Sequence, residues 1–134
     1  MMNEPVSTIM KTKLITASPD DSLEMIYGLM KEHKIHHVPV VEGALLVGLV
    51  TTHDLLRSNL KHEEYAGVPA KQIMTKKVAT VEPTSKVGTA AEIFLENRFH
   101  GLPVVNEVHE LMGFVTTFDV LNYEFRKEYP NNPW

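Results

Sequence analysis

Gly48-Leu-Val-Thr-Thr-His-Asp54 and Gly113-Phe-Val-Thr-Thr-Phe-Asp119 are two versions of one phrase, 65 positions apart. The match extends upstream. Ile9-Met10 returns as Ile73-Met74, Thr16 as Thr80, Pro19 as Pro83, Leu23 as Val87, His36 as His100, Pro39 as Pro103 and Val40-Val41 as Val104-Val105, each 64 positions on. One residue is gained in the turn before the glycine. An ordered set of coincidences at one offset marks a tandem duplication, and a duplication constrains the fold more than any local signal does.

Both copies carry the same local signals. A short strand is expected around Leu14–Thr16, and around Val78–Val81 in the second copy, ending at Pro19 or Pro83. A helix follows. Leu23, Ile26, Tyr27 and Met30 fall at i, i+3, i+4 and i+7, matched by Val87, Ala90, Ala91 and Phe94, so one apolar stripe of each helix faces a core. Asp21 or Ser22 is the expected cap, and Asp21 with Glu24 fits a capping box. Val38-Pro-Val-Val41 reads as a strand with its proline near the start, where a missing N–H does least harm. Glu42-Gly43 turns the chain, and Leu45–Thr51 returns beside the first strand. A second helix is expected from Thr51 or Thr52 and carries Leu55 and Leu56; its counterpart carries Val120 and Leu121.

The order is β-α-β-β-α, twice, which is an α+β fold. Roughly 60 residues per copy is marginal for independent folding, and two copies sharing a core relieve that. The reading assigns residues 1–60 to the first repeat, 61–69 to a polar linker, 70–126 to the second repeat and 127–134 to a tail. Two prolines keep that tail from being helical throughout, and Trp134 is its candidate docking residue.

Composition narrows the class. With 134 residues, 43% of them hydrophobic and 22% charged, the chain suits a folded soluble domain. A net charge of −4 argues against non-specific nucleic-acid binding, which needs phosphate neutralisation. The absence of cysteine excludes disulfides, thiolate nucleophiles and cysteine-ligated zinc, and fits a reducing compartment. The longest apolar run, 44–50, is interrupted by Gly48 and too short for a bilayer, and no signal-peptide core opens the sequence. The expectation is a cytoplasmic protein with neither membrane nor nucleic-acid partners.

Catalytic signatures are missing. There is no nucleophile elbow, no glycine-rich phosphate loop and no His-Glu-x-x-His, so no catalytic residue is assigned and the chain is read as a non-enzyme. His33, His36 and His37 have metal-like spacing only if one helix runs through them. The helix is expected to end near Lys34, and Glu32 alone does not complete a shell, so no metal site is assigned.

The ordered set Ile-Met, Thr-x-x-Pro, amphipathic helix, Val/Leu-Pro-Val-Val and Gly-h-Val-Thr-x-x-Asp, present twice between about Val6 and Asn122, resembles the CBS domain, named after cystathionine β-synthase. Two in tandem resemble a Bateman module. The resemblance implies two units packed about a pseudo-twofold axis, clefts between them for AMP, ADP, ATP or S-adenosylmethionine as a regulatory ligand with no required cofactor, and a homodimer. Read as a stand-alone pair, the chain senses an adenosyl ligand and regulates a separate protein partner. The alternative is a ligand-free dimerisation scaffold.

Thr51-x-x-Asp54 and Thr116-x-x-Asp119 carry the candidate chemistry. A carboxylate at a helix start can accept from the two hydroxyls of a ribose, and the Thr hydroxyl and free N–H groups there suit a phosphate. Thr-x-x-Asp is equally a capping box that needs no ligand, and the two roles are compatible. Family members often place a basic residue before the aspartate. Here His53 and Phe118 stand there, which argues against an acid-rich triphosphate and ranks the first copy ahead for a charged ligand. By resemblance, Thr16 and Thr80 are base-contacting positions and Pro39 and Pro103 shape the cleft wall. His37, matched by Gly101, lies at the cleft rim.

Overall fold

A computed structural model describes residues 2–131; Trp134 lies outside them. Helix α1 (Leu23–His33) precedes strands β1 (His37–Glu42) and β2 (Leu45–Thr51), helix α2 (Thr52–Arg57) and the short α3 (Ala70–Ile73). Helix α4 (Val87–Asn97), strands β3 (Gly101–Val105) and β4 (Leu111–Thr116) and helix α5 (Thr117–Glu128) repeat the plan. Each copy contributes one two-stranded sheet, β1-β2 or β3-β4. The α+β duplication expected from the sequence is present.

The expected opening strands shrink to single bridges, Ala17 to Val40 and Val81 to Val104, both parallel. The physical reason is the proline on the partner strand. Ala17 N–H donates to the Pro39 carbonyl at 3.0 Å, and Val41 N–H donates to the Ala17 carbonyl at 2.8 Å. The next rung upstream would need an N–H from Pro39, which has none, so the ladder stops. Pro103 stops the second copy in the same way, with Val81 N–H on its carbonyl at 3.1 Å.

The chain folds as two compact units that do not follow the repeat boundaries. The first-repeat unit comprises Ile15–Val78 with His109–Leu111; the second-repeat unit comprises the N-terminal segment through Leu14 with Ala79–Val108 and the chain from Met112. Each unit therefore receives its Ile-Met segment from the other copy's stretch of sequence.

In the first-repeat unit, Leu23, Ile26, Val38, Val40 and Val50 are fully buried, joined by Ala70. The segment read as a linker is ordered: His62–Gly67 forms a 3-10 helix, and Tyr65 packs into this core. In the second-repeat unit, Val87, Ala90, Val104 and Val115 are fully buried, and Val6 fills the place that Ala70 takes in the other unit. A buried valine contributes about 1.5–2 kcal/mol, so the segment carrying Val6 is part of the core.

The predicted stripe on α1 is buried at Leu23, Ile26 and Met30. Its cap is Ser22, whose Oγ accepts from Met25 N–H at 3.1 Å. The Asp21–Glu24 box does not form. Asp21 lies one residue before the cap, and its carboxylate accepts from Ser18 N–H at 2.7 Å instead, closing the preceding turn. Helices α1 and α4 both end on a left-handed residue, Lys34 with φ 54° and Arg98 with φ 57°. The chain turns off the helix axis there, so His36 and His37 do not continue the face of His33.

Candidate functional site

Each Thr-x-x-Asp closes a helix start. In the first copy, Asp54 N–H donates to Thr51 Oγ1 at 3.1 Å, and Thr51 N–H donates to Asp54 Oδ2 at 2.9 Å. In the second, Asp119 N–H donates to Thr116 Oγ1 at 3.2 Å, and Thr116 N–H donates to Asp119 Oδ2 at 2.8 Å. Both are full capping boxes. They satisfy backbone donors that a helix start otherwise leaves open.

The second oxygen of each carboxylate distinguishes the copies. Asp54 Oδ1 accepts from Thr75 Oγ1 at 3.3 Å and lies 3.6 Å from the Arg57 guanidinium. Asp119 Oδ1 accepts from Lys11 Nζ at 3.1 Å. The side chain of Asp54 is 5% exposed and that of Asp119 is 11%. Lys11 and Thr75 are repeat equivalents, and each is fixed by two backbone hydrogen bonds. Lys11 exchanges them with Phe114 at 2.8 and 2.9 Å, Thr75 with Leu49 at 2.9 and 3.0 Å. The glycine of the same phrase permits this approach. A Cβ on Gly48 would stand 2.5 Å from Met74 Sδ, and one on Gly113 would stand 2.6 Å from Met10 Sδ and 2.9 Å from the Lys11 carbonyl oxygen.

Asp119 opens onto a cavity of about 390 Å³ within the second-repeat unit. Thr8 and Ile9 form one wall; Asn122, Tyr123, Arg126 and Lys127 of α5 form the other with Asp119. That volume lies within the range of small-molecule sites. Tyr123 donates to the Glu4 carboxylate, and Lys127 lies 3.6 Å from the same carboxylate. The hydrogen bond from Tyr123 holds Glu4 below the usual carboxylate range.

The remaining predicted residues are distributed as follows. His37 is half-buried and faces Thr51 across the β1-β2 ladder. Pro39 and Pro103 are buried, their carbonyls taken by Ala17 and Val81. Thr16 and Thr80 are half-buried, and their hydroxyls make no side-chain hydrogen bond among the described residues. His53 is exposed on α2 and Phe118 is exposed on α5. In the second-repeat unit Lys11 meets Asp119, and Arg126 and Lys127 line the cavity beside it; in the first-repeat unit Arg57 lies beside Asp54. Lys11 is remote in sequence from the adjacent Arg126 and Lys127, and only folding of the N-terminal segment against α5 brings the three to one site. Among the described residues no three His, Asp or Glu side chains gather as a metal site, and no helix is long and apolar enough to cross a membrane.

A duplicated α+β unit with a capped aspartate in each copy defines a tandem-repeat module. The CBS domain matches residues 6–61 and 70–126, and the chain belongs to the CBS-domain family. It is 39% identical over 117 residues to inosine-5'-monophosphate dehydrogenase of Korarchaeum cryptofilum, covering 87% of this chain but 23% of that relative's length. Among solved structures it resembles CBSX2 of Arabidopsis thaliana in complex with AMP, at 26% identity and TM-score 0.83, covering 93% of this chain and 98% of that one. It also resembles the CBS domain pair of protein MJ0100 in complex with 5'-methylthioadenosine and S-adenosyl-L-methionine, at 26% identity and TM-score 0.80, covering 92% and 97%.

Proposed function

We propose that this chain is a non-catalytic regulatory module that senses an adenosyl ligand of the AMP, ADP, ATP or S-adenosylmethionine class. One observation carries the reading: Asp119 keeps its cap yet lines an open cavity of about 390 Å³. The box uses Asp119 Oδ2, while Oδ1 accepts only from Lys11 Nζ among the described residues, so a ribose hydroxyl can join at Oδ1 without breaking the box. AMP and 5'-methylthioadenosine in structures of the same fold support an adenosyl ligand. Regulation then requires that the ligand favour one of two states of the module or of a separate protein partner.

Thermal denaturation with AMP, ADP, ATP and S-adenosylmethionine at about millimolar concentration tests this, since a ligand at 100 times its Kd stabilises by about 2.7 kcal/mol. Asp119→Ala should remove the shift. No shift with any of the four would end the adenosyl reading.

The scaffold reading rests on a different observation. Leu56 and Leu121 are repeat equivalents and are 80% and 67% exposed. Paired exposed leucines on α2 and α5 suit a homodimer contact with a second copy of the chain, with or without a ligand.

A further inference from the structure

Resting on the adenosyl reading above, we infer that Lys11 makes the Asp119 site selective for the phosphorylated members of that ligand class. Positions 11 and 75 carry equivalent pairs of backbone bonds to the returning strand and reach equivalent carboxylates, so the exchange of Thr for Lys changes the charge presented to the aspartate. At Asp54 the position-75 side chain is a neutral hydroxyl, and the aspartate's charge is met by Arg57. At Asp119 the ammonium of Lys11 meets the carboxylate directly. Asn122 stands where the first copy has Arg57, and the second copy places Arg126 one turn further along α5, on the cavity wall.

Charge bookkeeping gives the selectivity its sign. Lys11 balances Asp119, and Lys127 balances Glu4. Arg126 donates from Nε to the neutral Asn122 side chain at 3.2 Å, so no carboxylate cancels its charge among the described residues. One positive charge is left over in the cavity. Lys11 is 57% exposed, contacts both Asp119 oxygens at 3.1 and 3.4 Å and keeps at least one further N–H donor. An anionic phosphate gains from this field; an uncharged 5'-thioether gains nothing from it, and a sulfonium is repelled.

Calorimetric titration of the whole chain with AMP and with 5'-methylthioadenosine, the uncharged counterpart, tests this in wild type, Lys11→Thr and Lys11→Arg. Lys11 is 57% exposed and Thr already stands at the equivalent position 75, so a folded variant is expected. AMP should weaken about tenfold in Lys11→Thr and stay within about threefold in Lys11→Arg, while 5'-methylthioadenosine stays within about twofold in both. An equal loss for the two ligands in Lys11→Thr marks a merely structural role and overturns the inference, as does an unchanged AMP affinity. Absence of heat with either compound in wild type overturns the adenosyl reading itself, an outcome visible before any substitution is made.

Discussion

Met74 Sδ occupies the space that a side chain on residue 48 would need, so Gly48 and Met74 act as one packing element. Met10 and Gly113 repeat the relationship. Gly48→Ala should cost about 1–3 kcal/mol through overpacking. Because the clash is with the far end of a flexible side chain, Met74→Ala in the same chain should recover part of it. Urea denaturation of the four members of that cycle should give a coupling of about 1 kcal/mol; simple additivity would show that the two residues are independent.

The two aspartates should differ in structural weight. Asp54 is the more buried and satisfies Thr51 N–H and the Thr75 hydroxyl together. Its replacement by Ala leaves the Thr51 N–H and the contact with Arg57 without their buried acceptor and should cost about 2 kcal/mol. Asp119→Ala should cost about 1 kcal/mol, the ordinary worth of a cap, because Lys11 can turn to solvent. Equal losses in chemical denaturation would contradict this ranking.

Glu4 and Tyr123 link the N-terminal segment to α5 and make its docking pH-dependent. Glu4 titrates below its ordinary value of 4.5, chiefly through the bond from Tyr123, so its contribution is present above that pH and is lost as the pH falls through the lowered value. Tyr123 titrates above its ordinary 10.0, first from burial and then from Glu4, so its contribution is present below pH 10.0 and is lost as the pH rises through the raised value. Tyr123→Phe should remove both dependences. Melting temperatures for the two proteins from about pH 3 to about pH 11 should converge at both ends, and parallel curves would count against the link.

If Leu56 and Leu121 form a contact between two copies, the Leu56→Lys, Leu121→Lys chain should be monomeric in light scattering while the unmodified chain is dimeric. Fold is expected to survive, since both side chains are exposed. A monomeric unmodified chain would remove the scaffold reading.

Local signals were legible wherever one segment decides its own geometry. Strand β2 spans Leu45–Thr51 as read, and Thr51 and Thr116 cap their helices as read. What escaped the sequence is what a distant segment decides. The strand near Leu14–Thr16 fails because of a proline 22 positions beyond Ala17 on its partner. One local miss stands apart: Asp21 serves the turn before the helix because its neighbour Ser22 takes the cap. Lys11 reaches Asp119 across 108 positions, and a repeat alignment shows that Lys11 equals Thr75 without showing which copy either one touches.

The exchange of Ile-Met segments orders events during synthesis. Nearly all of the first-repeat unit, Ile15–Val78, is one continuous stretch, so its core can close while the rest of the chain is still being made. Val6 and Met10 are made before that stretch, yet their partners on β4 and α5 are made after it. Their loop closure spans almost the whole chain, the slowest class of contact. Translation thus leaves the earlier segment waiting for the later one, and severing the chain between the copies would leave each half without the segment that completes it.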